Sequence, residues 1–154
     1  MLSREKAIEY ILKKHGNNAI YISSTGYISR AVHDITRLQK NVFYMQGSMG
    51  IAPAIGAGIA YNTSKTVVVI NGDASLLMHL GITHTIRDLN LSNLFNYVLD
   101  NGCHESVGGY DCPKLHSRYS GITEIIKISK DGKCPRVELN PVENTENLKS
   151  LLSK

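Results

Sequence analysis

Several features of membrane, secreted and nucleic-acid-binding proteins are absent from this 154-residue sequence. No apolar run approaches the roughly 18 residues that a membrane-spanning helix needs. Residues 1–6 include the charged Arg4, Glu5 and Lys6 and lack the apolar stretch of a signal peptide. Lys and Arg outnumber Asp and Glu by 17 to 13, a net charge of +4, but no block of about five basic residues occurs. The sequence therefore predicts neither a membrane segment nor a nucleic-acid-binding stripe.

Cysteine is scarce, and its positions argue against two kinds of small scaffold. The three cysteines, Cys103, Cys112 and Cys134, form no CxxC pair. This pattern favours neither a disulfide framework nor a zinc knuckle, so we predict a reducing, cytoplasmic location. Repeats, linkers and low-complexity tracts are also absent. Because a typical domain has about 150 residues, residues 1–154 are predicted to form one domain.

The apolar pattern alternates between strand-like and helix-like segments. Residues 66–70 are apolar on both faces and β-branched, as expected at the centre of a parallel sheet. Further strands are predicted at 19–22, 42–45, 95–99 and 137–139, and 122–128 is either a strand or an amphipathic segment. Helices are predicted at 3–15 (capped by Ser3 and ended by Gly16), through 31–35, at 51–60, through 76–80, at 82–89 and at 143–152. The order predicts an α/β fold, a three-layer αβα sandwich with a mostly parallel sheet.

Four polar or glycine-rich turns follow the carboxyl ends of predicted strands, where an open parallel sheet binds its ligands. They are Ser24-Thr25-Gly26, Gly47-Ser48-Met49-Gly50, Gly72-Asp73-Ala74-Ser75 and Asp100-Asn101-Gly102. If the four strands are neighbours in the sheet, these turns converge on one crevice. The long segment 102–120 that follows is predicted to be a functional loop over this crevice.

The turn at Asp73 combines two features that a divalent cation reconciles. It precedes a predicted helix, whose free N–H groups favour an anion such as phosphate, yet Asp73 is itself an acid. Mg²⁺ binds carboxylate, amide and phosphate oxygens, and Asn101 supplies an amide oxygen at the end of the next strand. The simpler alternative is that Asp73 is a helix N-cap and Asn101 a turn residue.

These residues resemble a known family. Gly72-Asp73-Ala74-Ser75, followed by Asp100-Asn101, is similar to the thiamine diphosphate signature that begins GDG and ends NN. Gly47-Ser48-Met49-Gly50 resembles the GxxG turn that precedes this signature in thiamine-dependent decarboxylases. The likeness extends from about residue 20 to residue 109 and is closest to the C-terminal, diphosphate-binding domain of phosphonopyruvate and sulfopyruvate decarboxylases.

The resemblance implies thiamine diphosphate and Mg²⁺ as cofactors. Metal ligands would be Asp73, the Asn101 side chain and the backbone oxygen of Cys103. The cofactor-binding residues implied are Ser24, Thr25, Gly47, Ser48, Met49, Gly72, Asp73, Ala74, Ser75, Asn101 and Cys103. Within this set, Met49 would wedge under the cofactor and enforce its bent shape, a proximity effect, although a core methionine is the plain alternative.

Two residues carry the catalytic roles expected of this chain, Met49 and His104. A histidine in the loop over the site would bind an anionic substrate group or move protons near neutral pH, although a solvated loop residue is the alternative. Glu105, Ser106 and His116 lie in the same loop, and Lys114 and Arg118 would attract an acidic substrate unless they are only surface residues.

Two residues depart from the family pattern. Ala74 stands in place of the glycine at the third position of GDG and loses the freedom to adopt positive φ, and Asp100 replaces the first asparagine of NN. The region after Gly109 is also short, so the layer that closes the fold is expected to be reduced.

The resemblance implies an incomplete site. In the family, a Glu from a separate pyrimidine-binding domain activates the cofactor, and no Glu here matches it. We therefore expect a hetero-oligomer with a partner subunit that carries this Glu, acting on a small anionic 2-oxo acid and releasing CO₂ and an aldehyde. Phosphonopyruvate or sulfopyruvate is the substrate implied. The alternatives are an acetolactate-synthase-like carboligase subunit, a non-catalytic binding module that kept the fold, and a flavodoxin-like phosphate binder without metal.

Overall fold

The computed structural model describes residues 1–37, 39–116 and 119–153, and a five-stranded sheet runs through its centre. The strands are β1 (Ile20–Ser23), β2 (Val42–Tyr44), β3 (Val67–Gly72), β4 (Leu94–Asp100), β5 (Cys103–His104), β6 (Tyr110–Asp111) and β7 (Glu124–Lys127). The helices are α1 (Arg4–His15), α2 (Tyr27–Thr36), α3 (Ala52–Tyr61), α4 (Asp73–Met78), α5 (Ile82–Leu89) and α6 (Pro141–Leu152). Among these described residues, no helix is both long and apolar enough to cross a membrane.

The strand order of the sheet fixes where a ligand can enter. The order is β2-β1-β3-β4-β7, and every neighbouring pair is parallel. From β1 the chain first adds β2 on one side and then β3 on the other, so the winding reverses between β1 and β3. In open parallel sheets the ligand crevice lies at the carboxyl ends of such a pair of strands. The predicted α/β architecture with a mostly parallel sheet is confirmed.

Helices cover both faces of the sheet and form two apolar layers. One layer joins α1 and α2 to side chains such as Tyr21 and Val68. The other joins α3 and α5 to the alternate side chains, such as Ile22 and Val69. Since successive residues of a strand point to opposite faces, a strand buried on both sides is expected to be mostly apolar. All six residues of β3 are buried.

The small residues of α3 allow this helix to lie very close to the sheet, as predicted. A Cβ atom at Gly56 would stand 2.3 Å from Cγ2 of Val69. Since real Cβ contacts are never this short, any larger residue at position 56 would push α3 away from β3. The close approach sets the distance between α3 and β3, and α3 directly follows the turn at Gly47–Gly50.

Most of the predicted elements occur, with three corrections. Residues 137–139 are not a strand: Val137 and Leu139 pack their side chains against the α1–α2 layer, which explains their alternation without any strand pairing. Leu80 is not helical, because α4 ends at Met78. The segment 102–120 contains the antiparallel hairpin of β5 and β6, which was not predicted.

The ambiguous segment and the first helix are now settled. Residues 124–127 of the segment 122–128 form strand β7, parallel to β4 at the edge of the sheet. The Ser3 side chain caps α1 by accepting a hydrogen bond from the backbone N–H of Lys6, and Gly16 ends this helix with a φ of 71°. Both end residues were predicted correctly.

Candidate active site

The four turns singled out in the sequence surround one cavity at the carboxyl ends of β1, β2, β3 and β4. The cavity has a volume of about 750 Å³ and is also lined by the β5–β6 hairpin. Its walls include every predicted catalytic, cofactor-binding and metal-binding residue: Ser24, Thr25, Gly47, Ser48, Met49, Gly72, Asp73, Ala74, Ser75, Asn101, Cys103 and His104. The structure thus brings together residues that lie up to 80 positions apart in the sequence.

The Ser75 hydroxyl holds three of these turns together. It accepts hydrogen bonds from the Ser24 hydroxyl at 2.8 Å and from the backbone N–H of Gly50 at 3.0 Å. A hydroxyl that accepts two hydrogen bonds still has its own proton to donate. Gly50 has a φ of 94°, and a Cβ there would stand 2.9 Å from the Ser75 carbonyl oxygen. Only glycine therefore satisfies both the backbone conformation and the close approach at position 50.

Asp73 is the buried acid of the site. Gly72 occupies the N-cap position of α4, so Asp73 stands in the first helical turn and is not the N-cap itself. Its residue is only 4% exposed, and its Oδ2 accepts a hydrogen bond of 2.9 Å from the backbone N–H of Gly102. Burial raises the pKa of Asp73 above its usual 3.8, and the nearby charge of Asp100 raises it further.

A second acid, Asp100, shares the same backbone donor. Its Oδ1 accepts from the Gly102 N–H at 3.1 Å, and its Oδ2 forms an ion pair with Lys127. Asp100 and Lys127 face each other in the parallel pairing of β4 with β7. The cation of the edge strand therefore offsets the acid that replaces an asparagine of the family signature.

Asn101 presents its carboxamide between two partners. Its Oδ1 accepts from the backbone N–H of Cys103 at 3.1 Å, and its Nδ2 donates to Oε2 of Glu105 at 2.7 Å. Cys103 is buried, and burial raises the pKa of its thiol above 9.0. A neutral thiol is not a metal ligand, so any contribution of Cys103 to a metal comes from its backbone.

The remaining predicted residues lie at the open side of the cavity. Gly47 and Ser48 are exposed, Met49 is half-buried, and Ser48 has a positive φ of 55°. His104 is half-buried in the β5–β6 hairpin. Among the loop residues considered, Glu105 and Ser106 line the cavity, whereas Lys114 and His116 are not part of its wall and Arg118 lies outside the described residues.

Among the cavity-wall residues that were not singled out in the sequence, one is both charged and buried. Arg4, in the first turn of α1, is 2% exposed and forms an ion pair of 2.6 Å with Glu105. The segment that resembles the decarboxylases starts near residue 20, so nothing drew attention to Arg4. A charged residue at the start of a helix is ordinarily solvated, and the sequence contains no sign that this one is buried.

The donor set fits a single divalent cation. Within residues 1–37, 39–116 and 119–153, no group of three His, Cys, Asp or Glu side chains forms a metal site. The candidate ligands are one carboxylate, one carboxamide and one backbone oxygen, which suit Mg²⁺ together with phosphate oxygens. Asp100 is paired with Lys127 and Glu105 with Arg4, while Asp73 has no ion-pair partner in the described part of the chain. A buried carboxylate needs a cationic partner, and Mg²⁺ would supply it for Asp73.

Known proteins match this chain over most of its length. Residues 24–152 match the family "Thiamine pyrophosphate enzyme, C-terminal TPP binding domain". Phosphonopyruvate decarboxylase of Streptomyces viridochromogenes is 40% identical over 107 residues, which are 70% of this chain and 27% of that protein. Sulfopyruvate decarboxylase subunit beta of Methanocaldococcus jannaschii is 36% identical over 121 residues, 78% of this chain and 62% of that subunit. The same subunit of Methanothermobacter thermautotrophicus is 39% identical over 108 residues, 70% of this chain and 57% of that subunit.

The matches agree with the architecture and with the position of the cavity. The chain spans about a quarter of the phosphonopyruvate decarboxylase and about three fifths of the beta subunits. The matched segment contains all four turns, from Ser24 to Asn101. The chain belongs to the family of thiamine pyrophosphate enzyme C-terminal, TPP-binding domains.

Proposed function

We propose that the chain is the diphosphate- and Mg²⁺-binding subunit of a two-chain thiamine diphosphate-dependent 2-oxo acid decarboxylase. The observation that supports this most is the backbone N–H of Gly102, which holds the turn carrying Asn101 against the Asp73 carboxylate at 2.9 Å. This contact supports the binding of one ion by both turns. Phosphonopyruvate or sulfopyruvate is the proposed substrate, because relatives named as decarboxylases of these two compounds match most of the chain.

Different residues of the cavity would bind the metal and the diphosphate of the cofactor. Asp73, the Asn101 side chain and the Cys103 backbone oxygen would bind Mg²⁺. Backbone N–H groups of Ala74 and Ser75, with the hydroxyls of Ser75 and Thr25, would hold the diphosphate, because the free N–H groups at a helix start favour anions. Ser24 would orient the Ser75 hydroxyl through its hydrogen bond of 2.8 Å. The metal and the N–H groups at the start of α4 would both offset the negative charge of the diphosphate.

Residues on the open side would act on the rest of the cofactor and on the substrate. The Gly47 carbonyl, next to Ser48, would accept a hydrogen bond from the aminopyrimidine, and Met49 would support the bent cofactor from below. His104 would bind the substrate carboxylate or move a proton at the reacting carbon. Bound thiamine diphosphate supplies the electron sink that makes loss of CO₂ from a 2-oxo acid possible.

The two departures from the family signature are compatible with this proposal. Ala74 lies in the first turn of α4 and is not among the residues with positive φ, so the conformational freedom of glycine is not needed there. The extra charge of Asp100 is paired with Lys127. Neither substitution therefore favours a non-catalytic module over an enzyme subunit.

We also propose that a second subunit completes the site. The exposed Gly47 and Ser48 leave the Met49 side of the cavity open, and a pyrimidine-binding subunit with the activating Glu would cover it. The name "subunit beta" of the relatives at 31–39% identity agrees with a two-chain enzyme. The three free cysteines suit a reducing, cytoplasmic location.

Calorimetry tests the proposal directly. Thiamine diphosphate is titrated into the chain with Mg²⁺ or with a chelator, alone and together with the subunit encoded beside it. We expect Mg²⁺-dependent binding that tightens with the second subunit, and free aldehyde with CO₂ from sulfopyruvate or phosphonopyruvate. Condensed product without free aldehyde would indicate the carboligase, binding without Mg²⁺ would indicate a metal-free phosphate binder, and no binding in either mixture refutes the proposal.

A further inference from the structure

Glu105 joins three distant parts of the chain next to the proposed metal site. Its Oε2 accepts hydrogen bonds from Nδ2 of Asn101 at 2.7 Å and from a guanidinium nitrogen of Arg4 at 2.6 Å. Its Oε1 accepts from the backbone N–H of Gly132 at 2.8 Å. The β5–β6 hairpin, the first helix and the segment after β7 therefore meet at one carboxylate.

This contact determines which end of the Asn101 carboxamide meets Glu105 and which end is left for other partners. An ionised carboxylate only accepts hydrogen bonds, so Glu105 selects the Nδ2 end of Asn101 and repels the Oδ1 end. With Nδ2 held by Glu105, Oδ1 points the other way, where it accepts from the Cys103 N–H. Mg²⁺ binds the oxygen of a carboxamide and not its nitrogen, so a reversed Asn101 would lose its place in the proposed ligand set.

Arg4 keeps the Glu105 carboxylate in place. Its residue is 2% exposed, and its guanidinium also contacts the Gly132 carbonyl oxygen at 3.4 Å. A buried guanidinium needs an anionic partner, and Glu105 is the acid that Arg4 pairs with in the described part of the chain. Arg4 therefore offsets the charge of Glu105, and the charge of Asp73 remains available to bind Mg²⁺.

We propose that Glu105 is a positioning residue that orients the Asn101 carboxamide for Mg²⁺, and that Arg4 anchors it. This inference rests on the proposed function, since it assigns Asn101 as a metal ligand. Glu105 touches neither the cofactor nor the substrate in this scheme. Its effect on the reaction passes entirely through Asn101.

Manganese binding measured by electron paramagnetic resonance tests the inference, with Mn²⁺ as the probe in place of Mg²⁺. The chain, in complex with its second subunit, is titrated with Mn²⁺ at saturating thiamine diphosphate. Glu105→Leu removes the acceptor and is expected to weaken Mn²⁺ binding about 10- to 100-fold, the usual effect of removing a group that orients a metal ligand. Glu105→Gln retains one acceptor oxygen for Nδ2 of Asn101 and is expected to lose less.

A paired variant separates positioning from folding. Glu105→Leu leaves Arg4 buried without a partner and destabilises the fold, whereas Arg4→Met combined with Glu105→Leu removes both charges and restores stability in urea. A positioning role predicts that the double variant regains stability and still binds Mn²⁺ weakly. If its Mn²⁺ affinity recovers together with its stability, or if Glu105→Leu binds Mn²⁺ like the wild type, the inference is wrong. A wild-type complex that binds no Mn²⁺ would refute the proposed function, and the positioning role with it.

Discussion

Replacing Asp73 by Asn should make the metal-free chain more stable and abolish its cofactor binding. The carboxyl oxygens of Asp73 and Asp100 accept from the same Gly102 N–H at 2.9 and 3.1 Å. They therefore lie within about 6 Å of each other, where two unit charges repel by about 3 kcal/mol at an effective dielectric constant near 20. Lys127 offsets part of this repulsion through its ion pair with Asp100. We expect Asp73→Asn to raise the free energy of unfolding by about 1–2 kcal/mol at pH 7.

The sign of the pH dependence follows from the raised pKa of Asp73. A carboxyl whose pKa is higher in the folded chain binds protons more tightly there than in the unfolded chain. Its ionised form consequently destabilises the fold at neutral pH, and the penalty disappears as the pH falls through the folded pKa towards 3.8. The stability difference between Asp73→Asn and the wild type should therefore shrink in acid.

Urea unfolding with and without ligand checks this prediction. With Mg²⁺ and thiamine diphosphate at about 100 times the dissociation constant, the wild type should gain about 2.7 kcal/mol, and the variant should gain nothing. The order of stability of the two proteins would then reverse. Asp88→Asn is the control, because Asp88 is exposed at the end of α5, and it should change neither quantity. A variant that binds the cofactor in a Mg²⁺-dependent manner, or one that is clearly less stable without ligand, refutes the reasoning.

Three further substitutions test the sheet and its surroundings. Gly56→Ala should destabilise the fold by about 1–3 kcal/mol in urea, because its Cβ would meet Val69, whereas Gly58→Ala, in open space on the same helix, should be neutral or slightly stabilising. Lys127→Met should lower the free energy of unfolding by about 1 kcal/mol without metal. The loss is small because the Lys127 side chain is 63% exposed, but the substitution leaves the buried Asp100 without its cation. An unchanged urea midpoint would show that the pair contributes nothing. Burial lowers the pKa of His15 below 6.5, so the unfolded chain binds more protons at this residue, and the stability of the fold decreases as the pH drops below 6.5. His15→Gln should reduce the dependence of stability on pH in this range, and an unaltered pH dependence would contradict the prediction.

The parts of the fold that sequence could predict are those that depend on local pattern. Strand β3 is recognisable because a strand buried on both faces is mostly apolar, as residues 67–70 of β3 are. The turn at Asp73 follows because the chain must change from strand to helix there. A local pattern also explains the wrong prediction of a strand at residues 137–139: Val137 and Leu139 alternate as in a strand, yet they pack on α1 and α2 without pairing. Alternation reports a buried face and carries no information on the presence of a neighbouring strand.

The parts that sequence could not predict depend on partners far apart in the chain. Arg4 and Glu105 are separated by 101 positions and meet only because α1 and the β5–β6 hairpin lie at the same corner of the sheet. Neither residue has a local pattern that requires the other. The list of residues around the cavity was accessible through family resemblance, whereas the contacts that hold Asn101 in its orientation required coordinates.

The charge at Asp100 shows how the sheet register decides what a departure from a signature means. Read along the chain, an acid in place of asparagine adds a second negative charge beside Asp73 and argues against a metal site. In the fold, β4 and β7 run parallel with Asp100 opposite Lys127. The added negative charge is therefore paired with a positive charge 27 positions later in the sequence. Glu105 is also paired with a cation, Arg4 of α1. Of Asp73, Asp100 and Glu105, the one without an ion-pair partner in the described residues is Asp73, which is the residue that the resemblance assigns to the metal. The substitution therefore leaves the net charge available to a divalent cation unchanged, because strand pairing supplies the compensation that the local sequence lacks.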